Sequence, residues 1–406
     1  MCIIATRGIT AGSGFATTEL RALLLDVIDN SYAMFPGIDL AVYVDDITPY
    51  RSGSSAHFVA EQVSRATDFI VDALQNDFDL EVSAKKSYVL ASSVKLAYSV
   101  ASMSRTGKLS SKRAGFFLGA PVGGGRKRSV RTLRKRVHDF RPKVARIHAL
   151  RRAGVRIKQI VRAVPTPSIT YGIEITGVSN DHLHTMRSVV ARSLAPPGGG
   201  KNTDLILLTA DADTGTVDPA FDAHVLPLKF WSLAIWEQWR SNEELSNAVA
   251  NVRAKLQSCK SAWAVCTGPI AALLASVSRI GWTMLSHSSF LDDRGQKLDL
   301  CLDPPAVITR AAQDSVRRWR LARVAHSFHC LEEFCTRLQN LPGQTTFVLH
   351  PHVIDISRAL RGVLSGRFQS LQEGPELDAA SWCHAYLCCV WRSMASGSLS
   401  VSRLHF

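Results

Sequence analysis

Two neighbouring aspartates, Asp45 and Asp46, interrupt a run of β-forming residues, and no other feature restricts the fold of this chain as strongly. Residues 38–44 and 47–50 are rich in aliphatic, β-branched and aromatic side chains, so they read as two short strands joined by a tight acidic turn. Adjacent carboxylates repel each other, and burying them together raises a pKa sharply unless a cation neutralises them. The hairpin tip is therefore either a solvated turn, where Asp is common, or a place where oxygen ligands hold a divalent ion such as Mg²⁺.

The surroundings read as an α+β layer over residues 1–122. A Gly-rich turn at 10–14 precedes Thr17 and Thr18, which suit the cap of a helix over 19–35 that buries Leu20, Leu23, Leu24, Val27 and Ile28, and Pro36-Gly37 ends it. A second helix over 56–76 places Phe58, Val59, Val63, Phe69, Ile70 and Leu74 near one stripe. Beyond it, a strand pair at 80–82 and 87–90 flanks Lys85-Lys86, and 116–119 makes another short strand.

Gly123-Gly124-Gly125 marks a boundary, after which Val130, Leu133, Val137, Phe140, Val144, Ile147 and Leu150 recur at helical steps of three and four. Pro142 cannot sit inside one continuous helix, so the spacing predicts helices over 127–140, 142–153 and 155–164. Between Ala101 and Pro165 there are 19 Lys or Arg against the single acid Asp139, so this segment carries the whole basic excess of a chain whose net charge is +14. Arg126, Lys127, Arg128, Arg131, Arg134, Lys135, Arg136, Lys143, Arg146, Arg151 and Arg152 fill the outer faces, with Arg141, Arg156, Lys158 and Arg162 continuing the pattern. Such a run tracks nucleic-acid phosphates; a solvated helix face and an anionic membrane surface are the alternatives.

Taken in order, the Gly-rich turn and helix, the Tyr43-Val44-Asp45-Asp46 hairpin, the Lys-bearing strand pair, Phe117-Leu118-Gly119 and the basic helices resemble the palm and thumb of a reverse transcriptase of the non-LTR retrotransposon type. The resemblance covers residues 1 to about 195. It implies an α+β fold: a partial polymerase palm, a basic helical thumb and a mostly α-helical C-terminal region. It also implies RNA-directed DNA polymerase activity, with Asp45 and Asp46 holding catalytic Mg²⁺, two ions in a complete site. Lys86 would lie near the incoming triphosphate, Gly12, Ser13, Gly14 and Tyr43 near nucleotide and template, and Phe117-Leu118-Gly119 would correspond to the primer-grip strand. The implied partners are an RNA template with a DNA primer, or the RNA–DNA duplex. Ala11-Gly12-Ser13-Gly14 departs from the family's Gln-Gly-x-Pro pattern. The family's third metal-binding aspartate precedes that turn, and neither Asp26, Asp29 nor Asp39 replaces it, so the expectation is an N-terminally truncated polymerase. A separate chain would supply the missing fingers and palm half. The other reading is a catalytically inactive nucleic-acid-binding remnant of a retroelement.

The strongest linker signal is Pro196-Pro197-Gly198-Gly199-Gly200, giving expected divisions at 1–122, 123–200 and 201–406. No run approaches the roughly 18 apolar residues of a membrane span, so no membrane association is expected. The nine cysteines lack a disulfide framework, and Cys383, Cys388 and Cys389 beside Trp382 and Trp391 read as core packing rather than a zinc site. Reduced thiols imply an intracellular chain, and the basic stretch 126–136 suits a nuclear import signal.

Overall fold

A computed structural model describes residues 14–124, 130–195, 202–211 and 217–327, and the chain divides between Ser129 and Val130 into two compact units. Both mix helices with small sheets, which is compatible with the α+β class.

In the first unit α1 (Ala16–Met34) starts after Phe15 without a side-chain cap, so Thr17 and Thr18 lie inside the helix rather than capping it. It buries Leu24, Val27 and Ser31, a narrower stripe than the sequence suggests, and Leu23 stays exposed. Ser31 tolerates burial because its hydroxyl donates to the Val27 carbonyl at 2.6 Å. The hairpin β1 (Asp39–Tyr43) and β2 (Asp46–Tyr50) follows, then α2 (Ala56–Asp72), whose N-cap Ser55 accepts from the Phe58 amide. A π-helical turn, Ala73–Asp77, ends it.

The strand expected at 80–82 is absent. The Leu80 amide donates to Leu74 O at 2.8 Å and Val82 O accepts from Lys108 Nζ at 3.2 Å, so the helix end and a lysine take backbone groups that a ladder would need. Instead β3 (Tyr88–Val89) pairs in parallel with β4 (Ser110–Ser111) around α3 (Val94–Met103). Buried Asp68 of α2 fixes the end of α3, accepting Ser104 Oγ at 2.6 Å and the Arg105 amide at 3.0 Å. A second hairpin, β5 (Ala114–Phe117) and β6 (Ala120–Gly123), turns at Leu118-Gly119. Gly115 is required there, since a Cβ would lie 2.2 Å from the Tyr88 ring.

The second unit opens with α4 (Arg131–Phe140), α5 (Lys143–Arg152) and α6 (Ile157–Ala163), broken at Pro142 and Gly154 as the spacing predicts. Pro165 and Pro167 begin α7 (Pro165–Thr170) instead of interrupting the chain, because first-turn positions need no amide hydrogen. Then come α8 (Ile173–Thr176), α9 (Asn180–Leu194), α10 (Thr203–Ala210), α11 (Pro219–Trp236), α12 (Asn242–Gln257), α13 (Ala262–Val265) and α14 (Pro269–Arg279). A three-stranded antiparallel sheet, β7 (Thr283–Met284), β8 (Ser289–Leu291) and β9 (Lys297–Asp299), leads into α15 (Pro305–Ser327). One apolar core runs from Leu133 to Val324, so residues on both sides of the Pro/Gly-rich stretch share it. That stretch and the helical patterns beyond 327, with their Cys and His residues, lie outside the described residues.

Through this core runs a lattice of buried charge. Arg187 of α9 donates to Asp218 at 2.9 Å and to Asp204 at 2.6 Å; Arg320 of α15 lies 3.0 Å from Asp218 and 3.4 Å from Asp211; Arg323 reaches Asp204 at 3.3 Å. The Arg320 Nε contact is an ion pair without hydrogen-bond alignment. Burial pushes the Asp218 carboxyl up, but Arg320 and Arg187 outweigh it and hold it below the usual carboxylate range. Removing one member leaves charge buried without its partner, so Arg187→Met is expected to cost about 3 kcal/mol, read by urea unfolding of the full chain.

His224 is fully buried beside the lattice, its Nδ1 facing Ala220 O and its Nε2 3.4 Å from Arg279 Nη1. Desolvation, reinforced by the Arg279 charge, lowers its pKa from 6.5 to about 3. The native ring is thus neutral, while the unfolded chain takes up a proton below pH 6.5, so this residue's contribution falls as pH drops from 6.5 towards 3. His224→Gln should remove about 1.4 kcal/mol per pH unit of slope from unfolding curves taken between pH 6 and 4.

Candidate active site

The acidic hairpin forms as the sequence indicates. Tyr43 pairs with Asp46, leaving Val44-Asp45 as a two-residue turn. Register puts Leu40, Val42, Ile47 and Pro49 on one face and Asp39, Ala41, Tyr43, Asp46, Thr48 and Tyr50 on the other. On the first face Leu40 and Ile47 pack against Val27 of α1 and Ile70 of α2, with Ala73 of the π-turn beside them. A two-stranded hairpin is marginal alone, so these helices hold it. The β1 edge is also tied to α1, since the Leu40 amide donates to the Tyr32 hydroxyl at 3.4 Å.

The tip is open, although Ala41 and Thr48 on the opposite face are half-buried. Tyr43 is 60% exposed, and both Asp45 and Asp46 are exposed, with no hydrogen bond or ion pair to either carboxylate among the described residues. Val44 has φ of +53°, a left-handed conformation that a β-branched residue occupies only as an outlier. A positive φ at the first turn position alone is the type II′ pattern, where glycine normally stands. The chain therefore holds a strained residue immediately before its paired acids, and such strain concentrates at functional sites.

As hard oxygen donors free of competing partners, Asp45 and Asp46 fit a divalent cation. They supply only part of a coordination shell: no cluster of three His, Cys, Asp or Glu suited to a metal occurs among the described residues. Asp39 shares the exposed face of the hairpin but sits at its far end, opposite Tyr50, while Asp26 and Asp29 lie on exposed parts of α1.

The remaining expected residues fall as follows. Lys86 is exposed in a turn, its amide bonded to Ser83 O at 3.2 Å, rather than beside a strand pair. Gly14 is exposed in the turn before α1; Gly12 and Ser13 lie outside the described residues. Phe117 closes strand β5 and pairs with Ala120, so of this stretch only Leu118-Gly119 leaves the strand and forms the hairpin turn, with Leu118 at φ of +48°.

On the second unit, Arg131, Arg134, Lys135, Lys143, Arg146 and Arg152 are exposed on α4 and α5, as are Arg141, Arg156 and Arg162 on and between the first three helices. Arg136 and Arg151 turn partly inward: Arg136 donates to Tyr171 O and stacks 5.2 Å from its ring, and Arg151 donates to Leu194 O at 2.9 Å. Burial lowers the Arg136 pKa. The only acid on α4 to α6, Asp139, lies 3.5 Å from His138. Arg126, Lys127 and Arg128 lie outside the described residues. No helix among the described residues is long and apolar enough to cross a membrane.

No protein-family model matches the chain, and no curated protein or solved structure shows a significant likeness to it.

Strain at Val44 has a measurable consequence. Asn tolerates the left-handed region better than Val, so Val44→Asn should raise unfolding stability by about 1 kcal/mol, measured by urea titration. An unchanged or lower stability would show that the turn is relaxed.

Proposed function

We propose that the chain carries part of a reverse transcriptase: a palm fragment whose Asp45 and Asp46 contribute to a Mg²⁺ site, and basic helices that bind a nucleic-acid duplex. The observation that carries the reading is the exposed acid pair behind a β-branched residue at positive φ. Helix backing on one face, with the acidic tip left open, gives incoming substrate a clear approach. Mg²⁺ bound there would stabilise the attacking and leaving oxygens of nucleotidyl transfer. The protein's own contribution is to present two carboxylates that no described side chain neutralises and to hold phosphates along α4 to α6. The reaction is addition of a deoxynucleotide to a primer 3′-hydroxyl on an RNA template. A third ligand would come from a further strand or a separate chain; among the described residues the β1–β2 pair joins no other strand.

The second reading, an inert nucleic-acid binder, is favoured by the two-carboxylate count and is separated by experiment. Primer extension with Mg²⁺ should be abolished in the double variant Asp45→Asn with Asp46→Asn, while duplex binding persists. Binding that persists in an unsubstituted chain unable to extend supports the inert reading. Binding should weaken steeply with salt, and replacing Arg131, Arg134 and Lys135 by Gln should flatten the log–log slope by about 0.9 for each phosphate no longer neutralised. A slope unaffected by these changes would remove α4 from the interface.

A further inference from the structure

From Val82 to His138 the chain contains no Asp or Glu. In the first unit that acid-free stretch builds α3, the parallel pair β3–β4 and the hairpin β5–β6. Helix α3 packs on α2, β3 and β4 and buries Ala97 and Val100, while its outward stripe carries exposed Val94, Tyr98 and Ser102, with exposed Lys95 beside them. Strand β5 is fastened to β3: the Tyr88 hydroxyl accepts from the Phe116 amide at 2.6 Å and donates to the Phe116 carbonyl, and the Lys112 ammonium lies 4.3 Å from the Tyr88 ring centroid. Tyr98 is 66% exposed and Phe116 56%, so two aromatic rings stand largely open to solvent. Arg105 pairs with Asp68 at 3.6 Å and Lys108 donates to Val82 O, but Lys95, Lys112 and Arg113 are exposed and make no ion pair among the described residues.

We propose that this surface binds single-stranded nucleic acid, its phosphates on Lys95, Lys112 and Arg113 and its bases stacked on Tyr98 and Phe116. Cations without local acids attract a polyanion. Exposed aromatic rings select one whose bases are free to stack, since in a duplex the base faces are already taken by their neighbours. An anionic membrane fits less well, because α3 turns a serine and a lysine outward beside Val94 and Tyr98 and so lacks the continuous apolar face that enters acyl chains. The surface needs neither the acid pair at 45–46 nor helices α4 to α6, so it stands apart from the polymerase and duplex-binding readings.

The test is fluorescence anisotropy of the full chain with a labelled oligothymidylate of about 16 nucleotides and, in parallel, a hairpin duplex, a heparin competitor and vesicles containing phosphatidylserine. Tyr98→Ala and Phe116→Ala should each weaken oligothymidylate binding about tenfold while duplex binding stays unchanged, and Tyr98→Phe, which keeps the ring, should bind as the unsubstituted chain does. Both side chains are exposed, so neither truncation opens the core, and Lys95→Glu on the surface of α3 should weaken binding without touching a ring. Lys112→Gln with Arg113→Gln should flatten the log–log salt slope by about 0.7 for each phosphate no longer neutralised. Oligothymidylate binding that survives these changes but is lost when Arg131, Arg134 and Lys135 become Gln would overturn the proposal and leave the duplex reading standing. Displacement by heparin with no effect of the aromatic substitutions would mean charge alone and overturn it too. So would vesicle binding that is tighter than oligothymidylate binding and lost in the same variants.

Discussion

Two like charges on successive residues cannot both leave water without a cation, and the first unit is arranged around that restriction. Its hairpin packs through half-buried Leu40 and Ile47 against the helices, while Tyr43, Asp45 and Asp46 at the tip are left exposed. Strand alternation makes this division possible: a register slip of one residue would turn Asp46 towards Val27 and Ile70 and expose Ile47. The apolar contact with α1 and α2 thus fixes which way the acids face. The two-residue turn then sets their spacing, with Val44 in a conformation its side chain disfavours.

Much of this arrangement is legible from residue order because the deciding forces are local. The turn is bracketed by β-forming runs, and α4, α5 and α6 follow apolar steps broken by Pro142 and Gly154, so each boundary is written where it occurs. Other features depend on distant partners. The 80–82 stretch looks like a strand, yet its backbone is taken by Leu74 and Lys108. The short β7–β9 sheet closes against the large core through Met284, Phe290 and Leu298, one apolar residue from each strand, too little to produce a periodic signal.

Arg187 is the most instructive residue that composition hides. Charged residues are seldom fully buried, so an arginine in a helix is naturally assigned to the surface. The available signal is its position: Leu183, Met186, Val190 and Arg187 share the inner side of α9, and an arginine on such a stripe needs acids from elsewhere in the chain. Asp204 and Asp218 meet that need, and both come from beyond the Pro/Gly-rich stretch. The same bonds explain why residues 202–327 belong with the basic helices. A linker composition indicates a break in secondary structure, but it does not show whether the segments on either side share a core.

The lattice also affects charge outside it. Asp204, Asp211 and Asp218 are buried, where they neutralise Arg187, Arg320 and Arg323, and Asp222 is half-buried against Thr170. Carboxylates engaged in this way cannot pair with the exposed cations of α4 and α5. Since Asp139 is the only acid on the first three helices of the unit, those helices carry little counter-charge of their own and the positive potential there persists. Burying acids inside and displaying arginines outside therefore follow from one distribution of residues. Neutralising an interior aspartate would disturb the core before altering the outer charge, whereas adding an acid to α4 would reduce the surface potential and leave the lattice intact.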